Sequence, residues 1–101
     1  MKLITDTQMS KLQANHKAMQ SDGGASIRDK KVVVKLFNPN GIGQWWLYAM
    51  DDNGNCFGVG ELEYREYGYV NIHEIQELRT PMGLKIERDQ YPTEQTFGEV
   101  L

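Results

Sequence analysis

Only one cysteine, Cys56, occurs among the 101 residues, which excludes an intramolecular disulfide framework and structural zinc held by several thiolates. A lone thiol also fits a reducing compartment. Histidine is equally scarce: His16 and His73 stand far apart, so a metal site would have to borrow carboxylates, and none is expected. The longest apolar run, Trp45-Trp46-Leu47-Tyr48-Ala49-Met50, falls far short of the roughly 20 residues that span a bilayer. The opening Met1-Lys2-Leu3-Ile4-Thr5-Asp6 turns polar within a few residues and lacks the apolar stretch of a secretory signal. These absences point to a cytoplasmic protein with no membrane contact. Phosphate-cradling glycine loops are missing too, because Gly41-Ile42-Gly43 and Gly58-Val59-Gly60 are short pieces beside strands that suit turns or close packing. No cofactor is expected.

The remaining composition is that of a packed protein, with 40% apolar and 25% charged residues and a net charge of −3. A chain of this length holds one core, expected over about residues 5–91, in a single domain spanning 1–101. The charge is unevenly placed. Residues 1–35 carry seven basic groups against Asp6, Asp22 and Asp29. Over 51–77, by contrast, Asp51, Asp52, Glu61, Glu63, Glu66, Glu74 and Glu77 face Arg65 alone. One flank is therefore acidic, as a solvated strand face or as a surface that steers a basic partner.

Local patterns predict an α+β fold: a small antiparallel sheet of four to five strands, an N-terminal amphipathic helix, and a second short helix before the last strand. Thr5-Asp6-Thr7-Gln8 is a capping box, with Ile4 placed to staple onto Met9. Met9, Leu12, His16 and Met19 then form the inner stripe of a helix over about 6–20, leaving Lys11, Gln13, Asn15 and Lys17 outside. Ser21-Asp22-Gly23-Gly24-Ala25-Ser26 ends it and begins a flexible connection. Strands follow at 32–37 and 44–51, and Asp52-Asn53-Gly54-Asn55 turns the second back on a third at 56–63. Tyr67-Gly68-Tyr69-Val70 adds a fourth short strand. Asn71-Ile72-His73-Glu74 starts the second helix, which runs to Arg79 before Pro81 and Gly83, and 84–89 alternates as a last strand. The tail from Pro92 is polar and expected to be looser.

Aromatic residues are the most distinctive feature. In an unbroken strand Trp45, Leu47 and Ala49 face one way while Trp46, Tyr48 and Met50 face the other, so both faces are apolar. Either this strand is sandwiched, by the helices on one side and the chain termini on the other, or one face is an exposed aromatic patch that binds a partner or a second copy. Trp46, Tyr48, Tyr64 and Tyr67 are the candidate anchors, with Glu61, Glu63 and Glu66 as orienting charges. Glu61 and Glu63, like Glu87 and Asp89, lie two apart and would share one strand face. Lys30, Lys31 and Lys35 offer a small basic cluster for weak phosphate contact, the basis of an alternative nucleic-acid-binding reading. A thiolate–imidazole pair of Cys56 and His73 is the basis of a third, enzymatic reading. Catalysis is not expected.

Residues 32–37 with Asn38-Pro39, then Trp46-Leu47, 58–62, Gly68-Tyr69-Val70, and above all Gly83-Leu84-Lys85-Ile86-Glu87-Arg88-Asp89, carry a family likeness over roughly 30–91. The chain resembles the uncharacterised domain-of-unknown-function proteins of bacterial plasmids, conjugative elements and phages, commonly encoded near antirestriction genes. The resemblance carries over no catalytic residue. What it implies is a setting: a non-enzymatic protein-binding module of a mobile element, in the manner of an antirestriction or anti-CRISPR inhibitor that occludes a host defence nuclease.

Overall fold

The computed structural model describes residues 3–22, 27–90 and 95–100. Helix α1 (Asp6–Asp22) opens the fold, and strands β1 (Val34–Phe37), β2 (Gln44–Met50), β3 (Asn55–Glu61) and β4 (Arg65–Asn71) follow. Helix α2 (Ile72–Glu77), strand β5 (Glu87–Arg88) and a closing turn of helix, α3 (Phe97–Val100), complete it. The five strands form one antiparallel sheet in the order β4-β3-β2-β1-β5. This is the expected α+β architecture.

Local chemistry accounts for the element starts. At α1 the Thr5 N–H donates to Gln8 Oε1 and the Gln8 N–H to Thr5 Oγ1, both at 3.1 Å, so the capping box closes in both directions. The β2–β3 turn is closed by Gly54 N–H donating to the Asp51 carbonyl at 3.2 Å. Gly54 sits there at φ +87°, a conformation that disfavours a side chain. Asp51 Oδ1 accepts the N–H groups of Asn53 and Asn55, and Asn55 Nδ2 donates to Oδ2. Those bonds, led by the Asn55 side chain, hold the Asp51 carboxyl below its ordinary value of 3.8. Asn71 caps α2 by accepting the His73 N–H at 2.9 Å.

Register decides which residues meet. β2 pairs with β3 from Gln44↔Glu61 to Leu47↔Gly58, then skips Tyr48 and resumes at Ala49↔Phe57. The extra residue is a β-bulge, and it reverses the side-chain alternation beyond it. Ala49 therefore joins Trp46, Tyr48 and Val59 on one face, while Met50 joins Trp45, Leu47 and Cys56 on the other. Simple alternation had put Ala49 and Met50 the opposite way. Gly58 lies beside the bulge, where a Cβ would stand 2.0 Å from the Trp46 carbonyl oxygen and 3.0 Å from Leu47 Cα. Only glycine lets the two backbones approach so closely.

Both faces of β2 are covered. On one, Ile4 and Leu12 of the α1 region, Val34 and Leu36 of β1, Ile72 and Ile75 of α2, and Ile86 enclose Trp45, Leu47, Met50 and Cys56. On the other, Ile27, Val32, Phe97 and Val100 enclose Trp46, Tyr48, Ala49 and Val59. Each fully buried aliphatic side chain contributes about 1.5–3 kcal/mol of apolar transfer. β1 stops pairing with β2 at Leu47, and α1 lies against the part of β2 beyond. There the Asn15 Nδ2 donates to the Tyr48 carbonyl at 2.8 Å, satisfying a group that the bulge takes out of the ladder. Asn15, expected outside, is thus a buried member of the helix face.

Several boundaries move. α1 reaches Asp22, β1 begins at Val34, β4 is a full strand of seven residues, α2 ends at Glu77, and β5 keeps only Glu87 and Arg88 of the expected 84–89 strand. The expected flexible connection at 23–26 lies outside the described residues, as do 92–94 of the tail. Residues 95–100 of that tail are not loose. Phe97 and Val100 are buried, and Val32, Phe97 and Gly98 N–H groups donate to the carbonyls of Gln95, Lys30 and Arg28. Two apolar side chains, not the polar average of the segment, decide its place.

Candidate functional site

β3 and β4 form a regular hairpin, paired without a break from Asn55↔Asn71 to Glu61↔Arg65 and joined by Leu62, Glu63 and Tyr64. On the face that carries Trp45 and Leu47, the alternate positions of this hairpin are Cys56, Gly58 and Gly60 in β3 and Glu66, Gly68 and Val70 in β4. Gly68 stands directly across from Gly58, which stands directly across from Leu47. Three missing side chains leave a groove of about 460 Å³ floored by backbone, with Trp45 and Leu47 forming its inner wall. The indole lies against Gly60, where a Cβ would come within 3.4 Å of Trp45 Cδ1. Glu63, Tyr64 and Glu66 line its outer margin.

Of the seven candidate partner-binding residues, the fold gathers five around this hairpin groove: Glu61, Glu63, Tyr64, Glu66 and Tyr67. Their roles differ. Tyr64 is 67% exposed in the loop, and Glu63 and Glu66 are exposed. Glu61 is engaged: Gln44 Nε2 donates to its Oε1 at 2.8 Å and Arg65 Nε to its Oε2 at 2.7 Å. It shares no strand face with Glu63, which lies in the loop beyond β3. Tyr67 pairs with Val59 and packs with the opposite cluster, its ring stacked on Phe57 at 6.2 Å, so its backbone lines the groove. Tyr69 tilts onto the same Phe57 at 5.1 Å yet remains 74% exposed.

Trp46 and Tyr48 are not surface anchors. They are 2% and 6% exposed, beneath Phe97 and Val100, and Tyr48 meets Phe97 edge-on at 5.9 Å. Lys35 Nζ and the Arg65 guanidinium lie 5.5 Å and 4.8 Å from the Trp46 ring centroid. Arg65 Nη1 also donates to the Val100 carbonyl, tying α3 to the hairpin. The strand carrying both tryptophans is sandwiched because each face found its own cover. The basic cluster divides in the same way: Lys30 and Lys31 are exposed before β1, whereas Lys35 stands over a covered tryptophan.

Cys56 and His73 form no pair. The thiol is fully buried, 3.6 Å from the Gly54 carbonyl, while His73 is exposed on the first turn of α2, and no hydrogen bond joins them among the described residues. Burial pushes the thiol from its ordinary 9.0 up to about 12, so the nucleophilic thiolate is suppressed. Among the described residues no group of three metal-ligating side chains comes together, and no helix is long and apolar enough to cross a membrane.

The residues that make the groove, Trp45, Gly58, Gly60 and Gly68, were not among the sequence candidates. Glycine at two alternate positions of a strand does signal a face without side chains. Which neighbour those gaps adjoin depends on the register with β2 and β4.

Neither a curated protein nor a solved structure matches the chain. A family described as protein of unknown function, DUF2958, matches residues 3–97. With a match running from the first described residue into α3, the chain belongs to the DUF2958 family of proteins of unknown function.

Proposed function

We propose that this protein is a non-enzymatic binding module that takes a protein partner on the β3–β4 hairpin, and that in a mobile genetic element it serves as an inhibitor of a host defence nuclease complex. The observation that carries the binding reading is the groove: a concave, glycine-floored surface beside Trp45, margined by the exposed Tyr64 and the carboxylates of Glu63 and Glu66. Aromatic groups at such a surface supply contact area, and the charges orient the partner and speed encounter. The buried, protonated Cys56 thiol favours binding over thiol catalysis. The defence setting rests on the resemblance to proteins encoded beside antirestriction genes, which is an argument from likeness.

The test is affinity capture from a nuclease-treated lysate of the bacterial host, with captured proteins identified by mass spectrometry. Wild-type protein should retain a near-stoichiometric subunit of a defence nuclease. The double variant Glu63→Lys, Glu66→Lys, with unchanged circular dichroism, should lose it. Equal capture by that variant would remove the hairpin from the reading. Capture of a protein unrelated to defence, lost in the same variant, would keep the surface and discard the inhibitor role.

A further inference from the structure

Strand β4 is an edge strand of seven residues, bonded to β3 on one side with no strand on the other among the described residues. The direction of its backbone groups follows from the register. Asn55 pairs with Asn71, and the Ile72 N–H donates to the Gly54 carbonyl at 2.8 Å, so Asn55↔Asn71 is a pair that exchanges no hydrogen bonds. Alternation along an unbroken antiparallel ladder then turns the N–H and C=O groups of Glu66, Gly68 and Val70 toward β3 and those of Tyr67 and Tyr69 outward. Natural edges are shielded by charge, proline or a bulge. The centre of this one, Tyr67-Gly68-Tyr69, has none of them.

The groove lies beside that open edge. A strand added to β4 would place one residue across from Gly68, on the face of the groove. Gly68, Gly58 and Leu47 would then lie one, two and three strand spacings away, roughly 5, 10 and 14 Å, so its side chain would rest on bare backbone. Glu63 and Glu66 margin this path, and neither has an ion-pair partner among the described residues, whereas Glu61 is paired with Arg65. A side chain that suits both features has a long aliphatic stem and a cationic head.

We infer that the hairpin binds its partner by strand addition: an extended basic segment pairs with the outward backbone of Tyr67 and Tyr69 and lays a lysine or arginine over Gly68, its cationic head turned toward Glu63 and Glu66. A second copy of this chain is a poorer occupant, because it would bring its own glutamates and leave both carboxylates unneutralised. This inference rests on the hairpin-surface reading above and specifies its partner chemistry and geometry.

The probe is a short capped peptide of alternating threonine and lysine, with a threonine–glutamate peptide as control. The lysine peptide should bind with an affinity that falls as salt rises, and the glutamate peptide should not. Binding should slow hydrogen exchange at the Tyr67 and Tyr69 amides of the wild-type protein. Tyr69→Pro removes an outward donor and leaves the β3 ladder intact, so it should weaken binding about tenfold or more. Tyr69→Ala, which removes only the ring, should change binding by less than about threefold. Equal binding by Tyr69→Pro and Tyr69→Ala, or no added protection at either amide, overturns strand addition. Protection of those amides in a peptide-free dimer assigns the edge to a second copy and overturns the basic segment. If the peptide fails while Glu63 and Glu66 still govern lysate capture, the strand-addition inference falls alone. If those glutamates do not govern capture, the surface reading falls as well.

Discussion

Replacing Phe97 by alanine tests whether α3 is part of the core. The ring is fully buried and meets Tyr48 edge-on, with centroids 5.9 Å apart and planes at 87°. Truncating a buried phenylalanine costs about 3–5 kcal/mol, and an aromatic pair accounts for about 0.5–1.5 kcal/mol of such a loss. Typical domains have about 5–15 kcal/mol of stability in all, so the variant should lose a fifth or more. Urea unfolding followed by circular dichroism should show a lower midpoint at unchanged slope. Thermal unfolding should fall by about 12–40 °C, at roughly 4–8 °C per kcal/mol for a chain of this length. Phe97→Leu should recover most of the difference. A loss below about 1 kcal/mol for Phe97→Ala would refute the reasoning, because it would mean that Tyr48 and Trp46 need no cover from this segment.

Gly58→Ala should destabilise by about 3 kcal/mol or more, since the new methyl meets the Trp46 carbonyl rather than a movable side chain, while Gly68→Ala, with nothing within 4 Å, should be neutral or slightly stabilising in the same denaturation assay. Asn15→Leu should cost about 1–3 kcal/mol by stranding the Tyr48 carbonyl, and preserved stability would show that carbonyl to be satisfied otherwise. Cys56 should resist a thiol reagent at neutral pH and react once urea unfolds the chain. Because burial raises its pKa from 9.0 to about 12, the unfolded state releases the proton first; the associated stability is whole below pH 9 and drains away as pH climbs toward 12, and Cys56→Ala should flatten that alkaline decline.

Features written in short-range chemistry were legible in the sequence. The Thr5–Gln8 box, the Asp51-to-Asn55 turn and the Asn71 cap each join residues within four positions, and each occurs where the sequence put it. Glu63, Tyr64 and Glu66 were recognisable as site candidates because loop and edge residues stay exposed under many packings. Trp46 and Tyr48 were not separable from them, since an aromatic residue looks alike in a core and at an interface. Asn15 gave no local sign of burial, because its partner carbonyl is 33 positions away.

By itself the sequence determined the antiparallel α+β fold, the helix starts and the acidic hairpin, because periodicity, caps and turn residues act over a few neighbours. Tertiary structure alone decided that a bulge at Tyr48 reverses the faces of β2, that Phe97 closes one of them, and that Gly58 and Gly68 align beside Leu47 to open the groove. Those outcomes depend on which strands pair and in what register. Register is set by the summed burial of both faces at once, a quantity that no short stretch of sequence contains.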